Sequence, residues 1–300
     1  MSKKTEQQKG YGLLPTPEDD RDFSLAGVFG AIELTTIPLE DWVVTTPLEI
    51  KDQGSTDMCT AYSLCAVSED QEGVPLDPGF VFAMIKRERG EYLQWGADLR
   101  SGVKVATKVG FLKRGDNPQD FGQKPRNFIA NWKNWPLNLL LPKAKAHIKE
   151  SFFKVDGPYD TFDNMRAALW QHQSDKRSIY TGCVWQSAWN GVAAGVVPKR
   201  VTSAGVGHAF KVFGQKIING EPYLMVQNSF GTDSGDNGIF YFPRMIVNRY
   251  FTFGAYMLID MPRTVAENLD NLAKGRIRKK ESIIITFLKW LLRTPYHDRN

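Results

Sequence analysis

A two-lobed α+β fold, helices first and strands second, is what this 300-residue sequence predicts. Three observations carry that expectation. Apolar residues recur at helical spacing between about residues 60 and 108. From Ser178 onward the pattern changes to β-branched and aromatic runs punctuated by Gly and Asn. No internal repeat is visible, and 42% apolar with 24% charged residues is the composition of a globular chain long enough for one large domain or two ordinary ones.

Residues 1–39 read as an extended segment lying along a surface. Their start is polar, and Leu14-Pro15-Thr16-Pro17 followed by Glu18, Asp19 and Asp20 disfavours helix. Short apolar patches between Leu39 and Leu48 lead into a turn at Gln53-Gly54. Thr60 to Glu72 reads as a buried helix, with Ala61, Leu64, Cys65 and Ser68 on one face. Phe80 to Arg89 and Leu99 to Lys108 are the next two helices, the latter stopped by Gly110. Residues 115–142 are rich in Asn, Trp and Pro without a clean period and read as a long loop or insertion. Ser151 to Val155 reads as the crossover between lobes, and Phe162 to Gln171 as a helix from its Met165 and Leu169 spacing. Five strand-like runs then predict a small, mostly antiparallel sheet or barrel: Ile179–Trp185, Ala209–Phe213, Tyr223–Gln227, Ile239–Phe242 and Ala255–Ile259.

The net charge of +5 is unevenly placed. Residues 274–300 hold eight Lys/Arg against Glu281 and Asp298, which is +6 and leaves −1 for the rest. A neutral body argues against nucleic-acid binding. Within the tail, Ile283, Ile284, Phe287, Leu288, Leu291 and Leu292 share one helical face, so residues 274–293 are a candidate site for a membrane surface or a protein partner. Three cysteines without a CxxC make neither a disulfide framework nor a zinc site, and their usage is that of a reducing compartment. The start lacks an apolar signal region and no 18-residue apolar stretch occurs, so a cytoplasmic or virion-associated protein is expected.

The chemistry concentrates in three places. Cys59 stands six residues after Gln53 in Gln53-Gly54-Ser55-Thr56-Asp57-Met58-Cys59, just where a helix should start. Unpaired N–H groups and the helix dipole at that position favour a thiolate. His208, in Gly205-Val206-Gly207-His208-Ala209-Phe210, lies 149 residues on, and Asn228, in Gln227-Asn228-Ser229-Phe230-Gly231, lies 169 on. Imidazole can take the thiol proton and return it to a leaving amine, while an asparagine oxygen fixes the ring. Cys65 and Cys183 sit in apolar periodic segments and read as inert core thiols, whereas His147 and His172 read as solvated.

The order Cys, His, Asn at these separations resembles the papain-like cysteine peptidases, in style their disulfide-free bacterial and phage members, over roughly residues 40–260. The resemblance implies a helical lobe at about 55–150, a β lobe at about 151–262, a cleft between them, and a tail from 263 to 300. It implies Cys59 as nucleophile, His208 as base, Asn228 as its orienter and the Gln53 amide with the Cys59 N–H as oxyanion donors. Gly96, in Gly96-Ala97-Asp98-Leu99-Arg100, would form the cleft wall that pairs with an extended peptide. Val206 and Ala209 would line the specificity pocket, and Phe230 would shield the His–Asn bond. No metal or organic cofactor is implied. The chain also departs from the family. Its Cys-Gly-Ser-Cys-Trp is here Thr56-Asp57-Met58-Cys59-Thr60, and its Asn-Ser-Trp-Gly is Asn228-Ser229-Phe230-Gly231. The 50 residues before Gln53 leave no room for the long inhibitory pro-segment of secreted relatives. Peptide-bond hydrolysis through an acyl-thioester is the leading expectation. A catalytically weak papain-fold structural or binding protein of a virus particle, and an amidase or transpeptidase with the same chemistry, remain alternatives.

Overall fold

The computed structural model describes residues 9–117, 124–200 and 205–260, with Val265 and Asn271. The basic tail from 274 onward lies outside the described residues. Near the start a short strand, β1 (Phe23–Ser24), runs into helix α1 (Leu25–Phe29), capped by the Ser24 hydroxyl on the Gly27 N–H. Strand β2 (Trp42–Val43) follows, then three helices make the helical lobe: α2 (Cys59–Glu72), α3 (Pro78–Glu88) and α4 (Leu99–Lys108). Their starts follow local chemistry. Asp77 caps α3 by accepting the Phe80 N–H, with Pro78 in the first turn where no donor is missed, and Asp98 caps α4 through the Ser101 N–H.

Helix α2 is buried on nearly every side, with eleven of its fourteen residues in the interior, so it is a central helix and not an amphipathic one. Gly73, at φ 67°, ends it in the left-handed conformation that glycine adopts without cost.

Residues 115–142, expected as a loop, contain helical structure. Helix α5 (Arg126–Ala130) and a 3-10 turn at Trp132–Asn134 lead into α6 (Leu137–Lys145). Pro125 and Pro136 cut the segment into pieces too short to show a period. Trp135 anchors them: its indole donates to the Ile129 carbonyl at 3.0 Å and its ring meets Phe80 at 5.7 Å.

Strand β3 (Ser151–Lys154), helix α7 (Thr161–Gln171), and strands β4 (Ile179–Gln186), β5 (Gly205–Ile218), β6 (Glu221–Gln227) and β7 (Ile239–Pro243) follow, then α8 (Arg244–Tyr250) and β8 (Ala255–Ile259). The strands form one eight-stranded sheet in the order β1-β3-β8-β4-β5-β6-β7, with β2 added against β5. Every pairing is antiparallel except β1 on β3. One apolar core joins α2, α3 and α4 to Tyr180, Ala209, Tyr256 and Leu258; a second gathers Trp185, Phe210, Phe240 and Phe242 with α7 and α8. His172 belongs in the interior, contrary to the solvated reading. It is 5% exposed and lies edge-on to Phe29 at 4.9 Å.

Charges are also buried where α2 meets the sheet. Lys211 of β5 pairs with Asp70 of α2 at 2.7 Å, and the same carboxylate accepts the Ser178 hydroxyl at 2.6 Å. Lys51 pairs with Glu69 one residue earlier on the helix. Among the described residues no helix is long and apolar enough to cross a membrane.

Candidate active site

Cys59 is the first residue of α2, and Met58 before it provides no side-chain cap. The N–H groups of the first turn are therefore left to other partners. The Cys59 thiol accepts the backbone N–H of Ala209, on β5 next to His208. The His208 Nε2 meets Asn228 Oδ1 at 2.7 Å, and that oxygen also accepts the Ser229 N–H at 2.7 Å. The Nδ1 of His208 has no hydrogen-bond partner among the described residues. Phe230 stacks on the imidazole at 4.5 Å and 21°. Trp185 closes the other side edge-on at 5.2 Å.

Gln53 lies beside this group. Its Oε1 accepts the Ser229 hydroxyl at 2.5 Å, which turns its amide N–H groups toward Gly10 O at 3.2 Å and Thr56 O at 2.8 Å. Gly10 belongs to the N-terminal segment, which passes through the cleft and not along an outer surface. Gly10 N–H donates to Gly54 O at 2.9 Å, Leu13 N–H to Gly207 O at 3.0 Å and Leu14 N–H to Ala97 O at 2.9 Å, while Ala97 N–H donates to Gly12 O at 2.8 Å. A Cβ on Gly12 would collide with the carbonyl of Asp57, so only glycine lets the two backbones come this close. Tyr11 lies edge-on to His208 at 5.5 Å, and Lys9 donates to Phe230 O at 2.9 Å.

The wall residue needs adjustment by one position. Gly96, at φ 71°, uses its own N–H on Asp57 and its carbonyl on Lys86, so the backbone that pairs with an extended chain is that of Ala97. Ala209 is fully buried and acts through its N–H, whereas Val206 is 46% exposed at the strand end. Tyr11, Leu13, Asp57, Arg126 and Ser229 were not among the residues expected here. The Gly10-Tyr11-Gly12 string, with two glycines around one aromatic, was the signal that could have found Tyr11.

Burial dominates the electrostatics. With the segment in place, desolvation pushes the Cys59 thiol up to about 12, against the opposing Ala209 N–H, and pushes His208 down to about 4. In this covered state burial opposes the ionised form that the helix start favours. A cavity of about 910 Å³ opens beside the same turn, lined by Gln53, Met58, Tyr62, Asp77 and Arg114 among others, yet it reaches neither Cys59 nor His208. The open volume lies beside Cys59 and His208, which are themselves fully buried. Among the described residues no group of His, Cys, Asp and Glu is arranged to hold a metal ion.

No protein-family model and no curated protein sequence matches this chain. Solved structures do. Xylellain, a cysteine protease from Xylella fastidiosa, is 21% identical with a TM-score of 0.69, over 87% of this chain and 100% of its own. Procathepsin B S9 from Trypanosoma congolense is 16% identical with a TM-score of 0.57, over 85% and 87%. Digestive procathepsin L 3 of Tenebrio molitor larval midgut is 14% identical with a TM-score of 0.57, over 84% and 76%. The backbone of this chain therefore has the fold of the papain-like cysteine proteases.

Proposed function

We propose that this chain is a cysteine-type peptidase acting through Cys59, His208 and Asn228, and that residues 9–14 hold it latent. One observation carries the reading: Asn228 engages the far nitrogen of His208, leaving Nδ1 unpartnered on a strand whose next N–H touches the Cys59 thiol. Once the segment leaves, water returns and burial no longer disfavours the charged forms. His208 Nδ1 takes the thiol proton, and the thiolate attacks the peptide carbonyl carbon. The C–N bond breaks as the imidazolium returns that proton to the leaving amine. Water then hydrolyses the thioester, with His208 again as base. Asn228 keeps the ring plane and tautomer throughout.

Gln53, oriented by Ser229, is the oxyanion donor in this scheme, and the Gly10 carbonyl occupies the place of the substrate oxygen. The papain-like backbone of the neighbours supports the same reading. The test is a mixed peptide library incubated with the full-length chain carrying Leu13→Ala, followed by mass spectrometry. New termini should appear, and they should vanish when Cys59→Ala is added. Equal cleavage by the Cys59→Ala protein would overturn the assignment.

A further inference from the structure

Apart from the Cys59, His208 and Asn228 group, a buried polar assembly surrounds Asp57. This carboxylate is fully buried and lies two residues before Cys59. Arg126 of α5 grips it with two bonds, Nε to Oδ1 at 2.8 Å and Nη2 to Oδ2 at 2.6 Å, and the Gly96 N–H reaches Oδ2 at 2.5 Å. The rest of the guanidinium donates to the carbonyls of Leu93 at 3.0 Å and Gln94. From α3 the fully buried Lys86 donates to the carbonyls of Gln94, at 2.8 Å, and Gly96. Both peptide groups of Gly96 are thus held from outside the wall.

We infer that Asp57 and Arg126 are positioning residues that hold the Gly96–Ala97 wall at a set distance from Cys59, fixing the register in which an extended peptide meets the nucleophile. The inference rests on the peptidase reading above. Neutralising one buried carboxylate would need only a counter-ion. Here the carboxylate and the guanidinium also hold the backbone of residues 93–96, so the turn before Cys59 and the wall are joined as one body. The linkage falls beside Thr56, where the family signature has a cysteine three residues ahead of the nucleophile. An ionic clamp here makes the join without oxidation. The two-bond geometry matters, since a guanidinium fixes direction as well as charge.

The test compares two substrates in full-length protein carrying Leu13→Ala: an extended peptide that pairs with the wall, and a single-residue ester that reaches only Cys59. Adding Arg126→Gln should lower the ratio of kcat/KM, peptide over ester, by about 10- to 100-fold, the range expected for an ångström-scale misplacement. Arg126→Lys should lower it less, because an ammonium restores the charge and not the fork. An unchanged ratio in both variants overturns the inference, as does a parallel loss on both substrates that follows the melting temperature. If Arg126→Gln does not fold, Arg126→Lys and Asp57→Asn decide by the same ratio. A parent protein that turns over neither substrate overturns the peptidase reading itself, and the clamp role with it.

Discussion

Leu13→Ala should open the cleft without unfolding the protein, and the size of the effect follows from what Leu13 touches. The side chain is 5% exposed and lies against Gly182 of β4, in a space that a Cβ there would occupy. Trimming a buried leucine to alanine costs about 2–5 kcal/mol, and a side chain on a detachable segment belongs at the lower end, about 2–3 kcal/mol. The backbone bonds to Gly54, Gly207 and Ala97 stay in place, so the segment remains mostly docked. At about 1.4 kcal/mol per tenfold, the open population should rise about 30- to 140-fold. The assay is iodoacetamide alkylation of the native full-length chain, read by peptide mass spectrometry. Cys59 labelling should accelerate by that factor. Cys65 and Cys183, both fully buried in the core, serve as internal reporters of global unfolding and should not accelerate. A Cys59 rate within twofold of the parent, or all three rates rising together, would refute the account.

Other outcomes follow from the same geometry. In the Leu13→Ala background, His208→Ala should reduce peptide turnover by at least about 100-fold, the lower bound for loss of a general base. Asn228→Ala should be milder, since it leaves the Cys–His pair intact, and a reversed order in initial-rate assays would show the roles misassigned. Stability should fall as pH drops from about 6.5 toward 4. Burial lowers both His208 and His172 to about 4, so the unfolded chain binds protons that the folded chain refuses. It should fall again above pH 9, where an unfolded Cys59 ionises while the folded thiol, pushed up to about 12, keeps its proton. Circular-dichroism melts across that range check both limbs; a melting temperature that holds level down to pH 4.5 counts against the acid limb. Deleting residues 274–300 should leave peptide turnover nearly intact and remove binding to anionic vesicles in a sedimentation assay, with binding by the truncated chain the contrary result.

Much of this was legible because periodicity and spacing report local structure. The starts of α2 and α4, strands β4 to β8 and the pairing of His208 with Asn228 all leave patterns in the sequence. Backbone pairing by residues 10–14 leaves only the two glycines around Tyr11 as a trace, because any chain can supply N–H and C=O groups. The short helices at Arg126–Ala130 and Leu137–Lys145 were hidden because Pro125 and Pro136 stand just before their starts and Pro142 lies inside the second, so neither stretch shows a clean helical period. Asp57 and Arg126 stand 69 positions apart, and nothing local in either string points to the other. His172 looked polar from its neighbours Gln171 and Gln173, yet it is His172 that turns inward against Phe29.

The Lys211–Asp70 pair has a mechanical consequence. Interdigitated apolar side chains already seat the helix on the sheet, and the ion pair adds a specific partner at one point. Displacement there leaves a charge without its partner, at a cost of about 3–5 kcal/mol. Asp70 stands eleven residues beyond Cys59 on α2, about 16 Å along a stiff rod. Lys211 stands three residues beyond His208 on β5. The two elements that carry Cys59 and His208 are thus pinned to each other at a point well away from those side chains. The Lys211–Asp70 bond involves none of residues 9–14, so it ties α2 to β5 whether or not that segment is docked.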